Sequence, residues 1–298
     1  MNNMRVLVIG AYGQVGRELM SSAPAGLEVR GLGSAELDIS DAGQLEAVIA
    51  KVNPAFIVNA AAYTAVDKAE TESERAWQVN ALGVKSLAQT AARRDIPLLH
   101  ISTDYVFSGN ARQPYKESDE TGPNGVYGAS KLAGELLLSA HCARHIILRT
   151  SWVFGVHGNN FVKTMIRLGQ ERNQLGVVAD QFGGPTAAGA IARAIWVLVE
   201  QYRQQGRLAW GTYHFSGAPA CSWHEFATEI FAQAGKLGLV ERPPVLDAIE
   251  TREYPTPARR PSWSVLDGEK LDTAFGIAPP DWREELATVL QQLQSMKK

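Results

Sequence analysis

Two cysteines in 298 residues, Cys142 and Cys221, lie far apart in the chain. They exclude a disulfide scaffold and a paired-cysteine zinc site, and they suit a reducing cytosol. No apolar run approaches the roughly 18 residues of a membrane-spanning helix. The N-terminal run Val6-Leu7-Val8-Ile9 is shorter than a signal-peptide core and ends in glycine, a strand-to-turn signal. Charge of one sign is missing too: 29 basic residues face 31 acidic ones, a formal net charge of −2, and no Lys/Arg run reaches five. That disfavours nucleic acid and anionic membranes as partners. No internal repeat or low-complexity tract is present. What remains is an ordinary globular composition, 45% hydrophobic and 20% charged. A cytoplasmic protein is expected, with one large or two modest domains at about 100–200 residues each.

The first half alternates short β-branched runs with helical patterns. Strands are predicted at 4–9, 29–32, 56–59, 97–102 and 145–148. Helices are predicted at 15–22, 42–52 (with Asp41 as N-cap), 72–94 and 127–141. Strands separated by helices indicate βαβ units and a parallel sheet. The second half is looser. Helices are predicted at 160–172, 186–204, 222–234 (Ser222 as N-cap) and 281–294, and a strand at 211–215. Residues 242–261 hold five prolines and read as a loop. The expected fold is α/β: a Rossmann-type doubly wound parallel sheet with a second, smaller mixed α/β substrate domain. Residues 1–150 would form the dinucleotide-binding domain, completed by elements from about 174–205. Residues 151–298 would form mainly the substrate domain, so the boundary is discontinuous.

The turn after the first strand reads Gly10-Ala11-Tyr12-Gly13-Gln14-Val15-Gly16. Glycines here permit a tight turn, close approach to a pyrophosphate, and packing of helix on strand. The free N–H groups of the helix start then face an anion. Three glycines alone describe any glycine-rich βα loop; their place after the first strand points to a dinucleotide. An acid about 20 residues on would grip the ribose 2′-OH. Position 30 is instead Arg30, which suits a 2′-phosphate or is simply a solvated arginine. The expected cofactor is NADPH, with NADH left open. Asp38-Ile39, just beyond, either borders the adenine or belongs to a helix-capping loop.

About 110 residues further on, Tyr127 and Lys131 stand at i and i+4, on one helix face. A tyrosine has an ordinary pKa of about 10. A nearby ammonium lowers it, and such a phenol can exchange a proton with a substrate oxygen. Alone, this pair describes many surface helices. Between it and the glycine turn, Ser102-Thr103-Asp104-Tyr105 ends a predicted strand. Ligands of open α/β sheets bind at such carboxyl ends.

The set Gly10/Gly13/Gly16, Asn59-Ala60-Ala61, Asn80, Thr103 and Tyr127-xxx-Lys131 resembles the extended short-chain dehydrogenase/reductases. More narrowly, the stretches 59–70, 102–107, 149–153, 158–161, 180–186 and 254–261 resemble the dTDP-4-dehydrorhamnose reductases, from residue 4 to about 282. The resemblance implies reduction of the 4-keto group of a dTDP-6-deoxy-hexulose with hydride from C4 of NAD(P)H. Tyr127 would be the general acid, Thr103 a second hydrogen bond to the same oxygen, and Lys131 the holder of the nicotinamide ribose. Cofactor contacts would fall on Gly10, Gly13, Gln14, Val15, Gly16, Arg30, Asp38, Ile39, Ala60, Ala61, Ala62, Tyr63, Thr64, Tyr127 and Lys131. Sugar contacts would fall on Thr103, Asp104, Tyr105, Tyr127 and Trp152, whose indole suits a pyranose face or else belongs to the core. Arg259 and Arg260 would clamp the diphosphate or form a solvated loop pair.

Nucleotide-sugar 4,6-dehydratases carry Asp-Glu after the threonine; here Asp104 is followed by Tyr105, so reduction is preferred over elimination. Epimerases share the same triad. A regulatory subunit of the same fold would tolerate loss of the Tyr/Lys pair, which is present here. Some relatives form a dimer bridged by Mg²⁺ through glutamates. Glu18 matches one of these, but Gly189 and Arg283 stand at the others, so no such metal site is expected. A monomer or another homodimer remains.

Overall fold

Successive residues of a strand point to opposite faces, and β1 (Met4–Ile9) is apolar on both. Val6 and Val8 enter one buried cluster; Leu7 and Ile9 enter another. Such a strand needs cover on both sides. The computed structural model describes residues 4–296; residues 1–3 and 297–298, the outer tips of the two expected domains, lie outside them. β1 sits within a six-stranded sheet. The other strands are β2 (Leu27–Leu32), β3 (Phe56–Asn59), β4 (Leu98–Thr103), β5 (His145–Thr150) and β6 (Gly211–His214). Their order is β6-β5-β4-β3-β1-β2, all parallel. The winding direction reverses between β1 and β3, which opens a crevice beyond their carboxyl ends.

Helices α1 (Gln14–Ser21), α2 (Ala42–Val52), α3 (Val84–Arg93) and α4 (Val126–His141) follow β1 to β4. Leu45 and Ile49 of α2, Leu87 and Ala91 of α3 and Leu138 of α4 pack on the Leu7/Ile9 face. The opposite face takes Leu19 of α1 together with later helices: α5 (Phe161–Glu171), α6 (Ala188–Gln205), α7 (Trp223–Lys236) and α8 (Trp282–Ser295). One apolar cluster runs from the sheet through Ile195, Phe226 and Leu286 of these helices. Two caps form as expected: Asp41 accepts from the Gly43 and Gln44 N–H groups, and Ser222 forms a capping box with Glu225. No helix among the described residues is long and apolar enough to cross a membrane.

Three expectations are corrected. The helix predicted over 72–94 is broken: a short turn, Ser73–Trp77, passes into a π-helix, Gln78–Gly83, before α3 begins. Hydrophobic periodicity does not register a π-turn, which re-aims one residue, here Asn80. The proline-rich segment 242–261 contains a strand, Val245–Ile249, paired in parallel with Gln174–Val178. Its prolines only flank the strand, and its partner is distant in sequence. The helix predicted from 186 begins at Ala188, because Thr186–Ala187 pairs with Val153–Phe154.

One charged pair is sealed inside. Arg149 of β5 meets Glu135 of α4 at 2.7 Å, with the side chains 6% and 3% exposed. Phe107 covers the guanidinium. Replacing Arg149 with Met strands a buried carboxylate and should cost about 3–5 kcal/mol in urea unfolding. Adding Glu135→Leu should recover most of that loss.

Candidate active site at the carboxyl ends of the strands

The glycine turn is shaped by contact as much as by conformation. Gly10 has φ +82°, and a Cβ there would lie 2.6 Å from the Ala61 nitrogen. A Cβ on Gly16 would lie 2.0 Å from the Gly10 carbonyl oxygen, so α1 can approach β1 only with glycine at that position. Gly13 caps α1 without a side-chain bond, and the first turn holds no acid. The N–H groups opening α1, from Gln14, Val15 and Gly16, are therefore left for an external acceptor. The Gln14 side-chain Oε1 accepts from Asn160 Nδ2 at 3.0 Å, tying this turn to the second half. Val15 packs on the core.

Next to this turn, the loop after β3 is held by two buried asparagines. Asn59 Oδ1 accepts from the Ala61 N–H at 3.1 Å. Asn80, aimed by the π-turn, accepts from the Tyr63 N–H at 2.8 Å and donates to the Tyr63 carbonyl and to Ser130 Oγ. Ala60, Ala61, Ala62, Tyr63 and Thr64 thus run between the glycine turn and α4. On the other flank, Arg30 is exposed on the edge strand β2, opposite Leu7. The Asp38 carboxylate accepts from the Ser40 N–H and hydroxyl and lies 3.4 Å from Arg75, which together hold its pKa low. The Ile39 side chain is buried in the core beneath Gly83.

Thr103 ends β4, and its hydroxyl donates to Asp104 Oδ1 at 2.9 Å while accepting from the Tyr105 N–H. Tyr127 in the first turn of α4 has its hydroxyl beside that of Thr103, with the Tyr105 ring edge-on at 5.5 Å. Burial drives the Tyr127 phenol well above the usual tyrosine range, and the nearby Thr103 hydroxyl only partly opposes it. The ammonium-lowered phenol expected from the i, i+4 spacing is thus corrected. The Lys131 amine is turned into β4, where it donates to the Ile101 carbonyl at 2.7 Å and lies 3.1 Å from His100 Nε2. Burial pushes Lys131 down to about 8, with Glu135 opposing.

Asp104 is 2% exposed, and its Oδ2 has no partner. Burial pushes its carboxyl up to about 6, opposed by the nearby Ser264 hydroxyl, which itself donates to the Phe182 carbonyl, and by the Thr103 bond. Trp152, just past β5, has φ +47°, a left-handed conformation that a bulky residue adopts only under constraint. Its indole stacks on Trp223 at 3.4 Å between ring centres and fills the space above Gly183. Arg260 is already engaged: it donates to the Tyr105 hydroxyl at 2.9 Å and pairs with Asp67 at 2.7 Å. Arg259 is exposed beside it. Both line an open cavity of about 490 Å³ with Ser108, Asn110, Asp180 and Tyr254.

Away from this cleft, Glu18 lies 3.9 Å from His157 and beside Gly189, and Arg283 stacks on Trp282. Several site residues were not anticipated: His100, Ser130, Asn160, Trp223 and the Arg149–Glu135 pair. Ser130 lies inside the Tyr127–Lys131 motif and was within reach of it. A lone histidine in an apolar strand carries no signal of a lysine contact.

The model of the RmlD substrate binding domain matches residues 4–295. The dTDP-4-dehydrorhamnose reductase of Aggregatibacter actinomycetemcomitans is 46% identical over 287 residues, 96% of this chain and 98% of that protein. The enzyme of the same name from Escherichia coli K12 is 42% identical, covering 97% of this chain and 98% of its own. Among solved structures, a dTDP-4-dehydrorhamnose reductase from Bacillus anthracis in complex with NADP superposes with a TM-score of 0.88 at 36% identity, over 97% of this chain and 99% of that one. From one end of the described chain to the other, the protein belongs to the dTDP-4-dehydrorhamnose reductase family.

Proposed function

We propose that the protein reduces the 4-keto group of dTDP-4-dehydro-L-rhamnose to give dTDP-L-rhamnose, with NADPH as the preferred donor and NADH as an alternative. The observation that carries this reading is Thr103 at the end of β4 beside Tyr127 of α4, with Lys131 one turn along the same helix, together with the uncapped, acid-free start of α1 after β1. That start is a cradle with free N–H donors, and it fits a pyrophosphate. Arg30, exposed on the adjoining edge strand, suits a 2′-phosphate. The B. anthracis relative was crystallised with NADP. When bound, the cofactor supplies the hydride; the protein supplies position and charge.

Tyr127, whose proton is held tightly by burial, protonates the oxygen that becomes an alkoxide, and Thr103, turning its hydroxyl away from Asp104, donates a second hydrogen bond to it. The unpartnered Asp104 Oδ2 accepts from a sugar hydroxyl. The Trp152–Trp223 stack offers a flat apolar wall to the ring. Arg259 reaches the diphosphate. Arg260 fixes the loop that carries Arg259, so its expected part in the clamp becomes structural. No second carboxylate follows Asp104, which favours reduction over elimination. Residues 4–150 with α6 and the returning strand β6, which lies beyond the expected 174–205, form the cofactor half, and most of the remainder forms the sugar-nucleotide half.

With NADPH and the 4-keto sugar nucleotide, the reduced-nicotinamide absorbance should fall; no fall with either reduced cofactor sinks the proposal. Tyr127→Phe should lower kcat about 10²–10⁴-fold and leave NADPH affinity intact. Arg259→Ala should raise KM for the sugar nucleotide roughly tenfold with kcat unchanged. Asp104 carries a raised pKa, so its ionised form is disfavoured on folding. It costs nothing below the ordinary carboxylate pKa, and the cost grows as pH rises towards 6. Asp104→Asn should therefore stabilise the fold by up to about 3 kcal/mol at neutral pH, add nothing at pH near 3, and weaken sugar binding.

A further inference from the structure

Lys131 is the one fully buried lysine among the described residues. Its amine ends a chain of hydrogen bonds whose senses can be worked out one by one. The Ala61 N–H donates to Asn59 Oδ1 at 3.1 Å. That fixes the amide, so Asn59 Nδ2 faces His100 Nδ1 at 3.0 Å. An amide N–H donates; Nδ1 must accept, and the proton of a neutral imidazole then sits on Nε2. Nε2 in turn faces the Lys131 amine at 3.1 Å, and the amine donates to the Ile101 carbonyl at 2.7 Å.

An ammonium has three donors and no lone pair, so it would meet Nε2–H donor to donor. Moving the ring proton to Nδ1 transfers the conflict to Asn59 Nδ2. Turning that amide over transfers it again, to the Ala61 N–H. An imidazolium donates at both ends, so it meets the Asn59 Nδ2 donor whatever the state of Lys131, and an ammonium as well. The chain is satisfied throughout only if Lys131 is a neutral amine that accepts from Nε2–H.

We propose that Asn59 and His100 are positioning residues that hold Lys131 as a neutral amine against β4 in the cofactor-free enzyme, and that Lys131 becomes charged only by leaving His100 for the cofactor. This rests on the reading above in which Lys131 serves the cofactor. Burial acts in the same direction, lowering the pKa of both Lys131 and His100. Of the groups facing Lys131, Glu135 on its own helix favours the ammonium but is taken up by Arg149 of β5. β3 and the π-turn contribute the uncharged Asn59 and Asn80. Asp104 and Tyr105, after β4, act on the Tyr127 phenol and raise its pKa. With Lys131 neutral, no cation draws the proton from Tyr127 before substrate arrives, which is what a general acid requires.

Nitrogen-15 NMR of the histidine rings in the cofactor-free protein reads the tautomer, with His100 assigned by the signal lost in His100→Gln. The expected result is a neutral ring protonated on Nε2 between about pH 6 and 8. A ring protonated on Nδ1, or an imidazolium, overturns the proposal. Asn59→Asp reverses the chain: a carboxylate accepts from both Ala61 and Nδ1, which leaves Nε2 to accept from an ammonium. Because Lys131 takes up a proton on binding, NADPH affinity measured by cofactor fluorescence in the unmodified enzyme should already weaken with rising pH between about pH 6 and 8. In Asn59→Asp that weakening should begin about one unit or more higher, a tenfold shift in proton affinity. An unmoved profile in a variant with native near-ultraviolet circular dichroism also overturns the proposal. If that variant does not fold, the tautomer in the unmodified protein decides alone. The ring tautomer needs no turnover, so a failure of the reductase reading and a failure of this one are separate results.

Discussion

The site depends on one constraint: polar groups beneath the ends of β3, β4 and β5 are out of reach of water and must find partners in the protein. Asn59, Asn80, His100, Ser130 and Lys131 are all buried. Each satisfies a neighbour whose position matters to chemistry. Asn80 and Asn59 fix the backbone of the loop that flanks the glycine turn. His100 and Ile101 fix the lysine. A single unpaired member would cost about 1–3 kcal/mol, so the layer has few alternative arrangements. That rigidity lets α4 present Tyr127 to the mouth of the sheet.

Above that layer the site holds what the layer below does not tolerate. Asp104 keeps an oxygen without a partner, and Trp152 keeps a left-handed backbone. Both are unfavourable in the free protein and sit where a sugar would meet the sheet. Interactions left open by folding are available to a ligand at no cost in broken bonds. Asp104 at a raised pKa and Tyr127 with a tightly held proton point the same way: burial rather than neighbouring charge sets the acid–base character of the cleft.

The two halves of the chain are joined by contacts that begin at functional residues. Gln14 in the glycine turn accepts from Asn160 of the second half. Tyr105, one residue beyond Asp104, accepts from Arg260, which also pairs with Asp67. The loop that lines the open cavity with Arg259 and Arg260 is thereby fastened to the same segment that positions Thr103.

The α/β class, the glycine turn and the Tyr127–Lys131 pair were legible because each depends on local order: strand alternation, helical spacing, and glycine where a Cβ has no room. The π-turn at Asn80 and the strand at Val245–Ile249 were not. One is a local change of helical hydrogen bonding that places the Asn80 side chain on the Tyr63 backbone, the other depends on a partner some 70 residues away. Arg260 shows the same limit within the site, since an arginine in a proline loop reads as an anion clamp until Asp67 and Tyr105 are found beside it. By itself the sequence determined which elements form and which residue types stand at the strand ends. Only the tertiary structure decided that Lys131 faces His100 and not Tyr127, and that Asp104 is buried with a free oxygen. Proton affinities depend on what surrounds a group in space, and those surroundings come from strands and loops that meet only when the sheet is assembled.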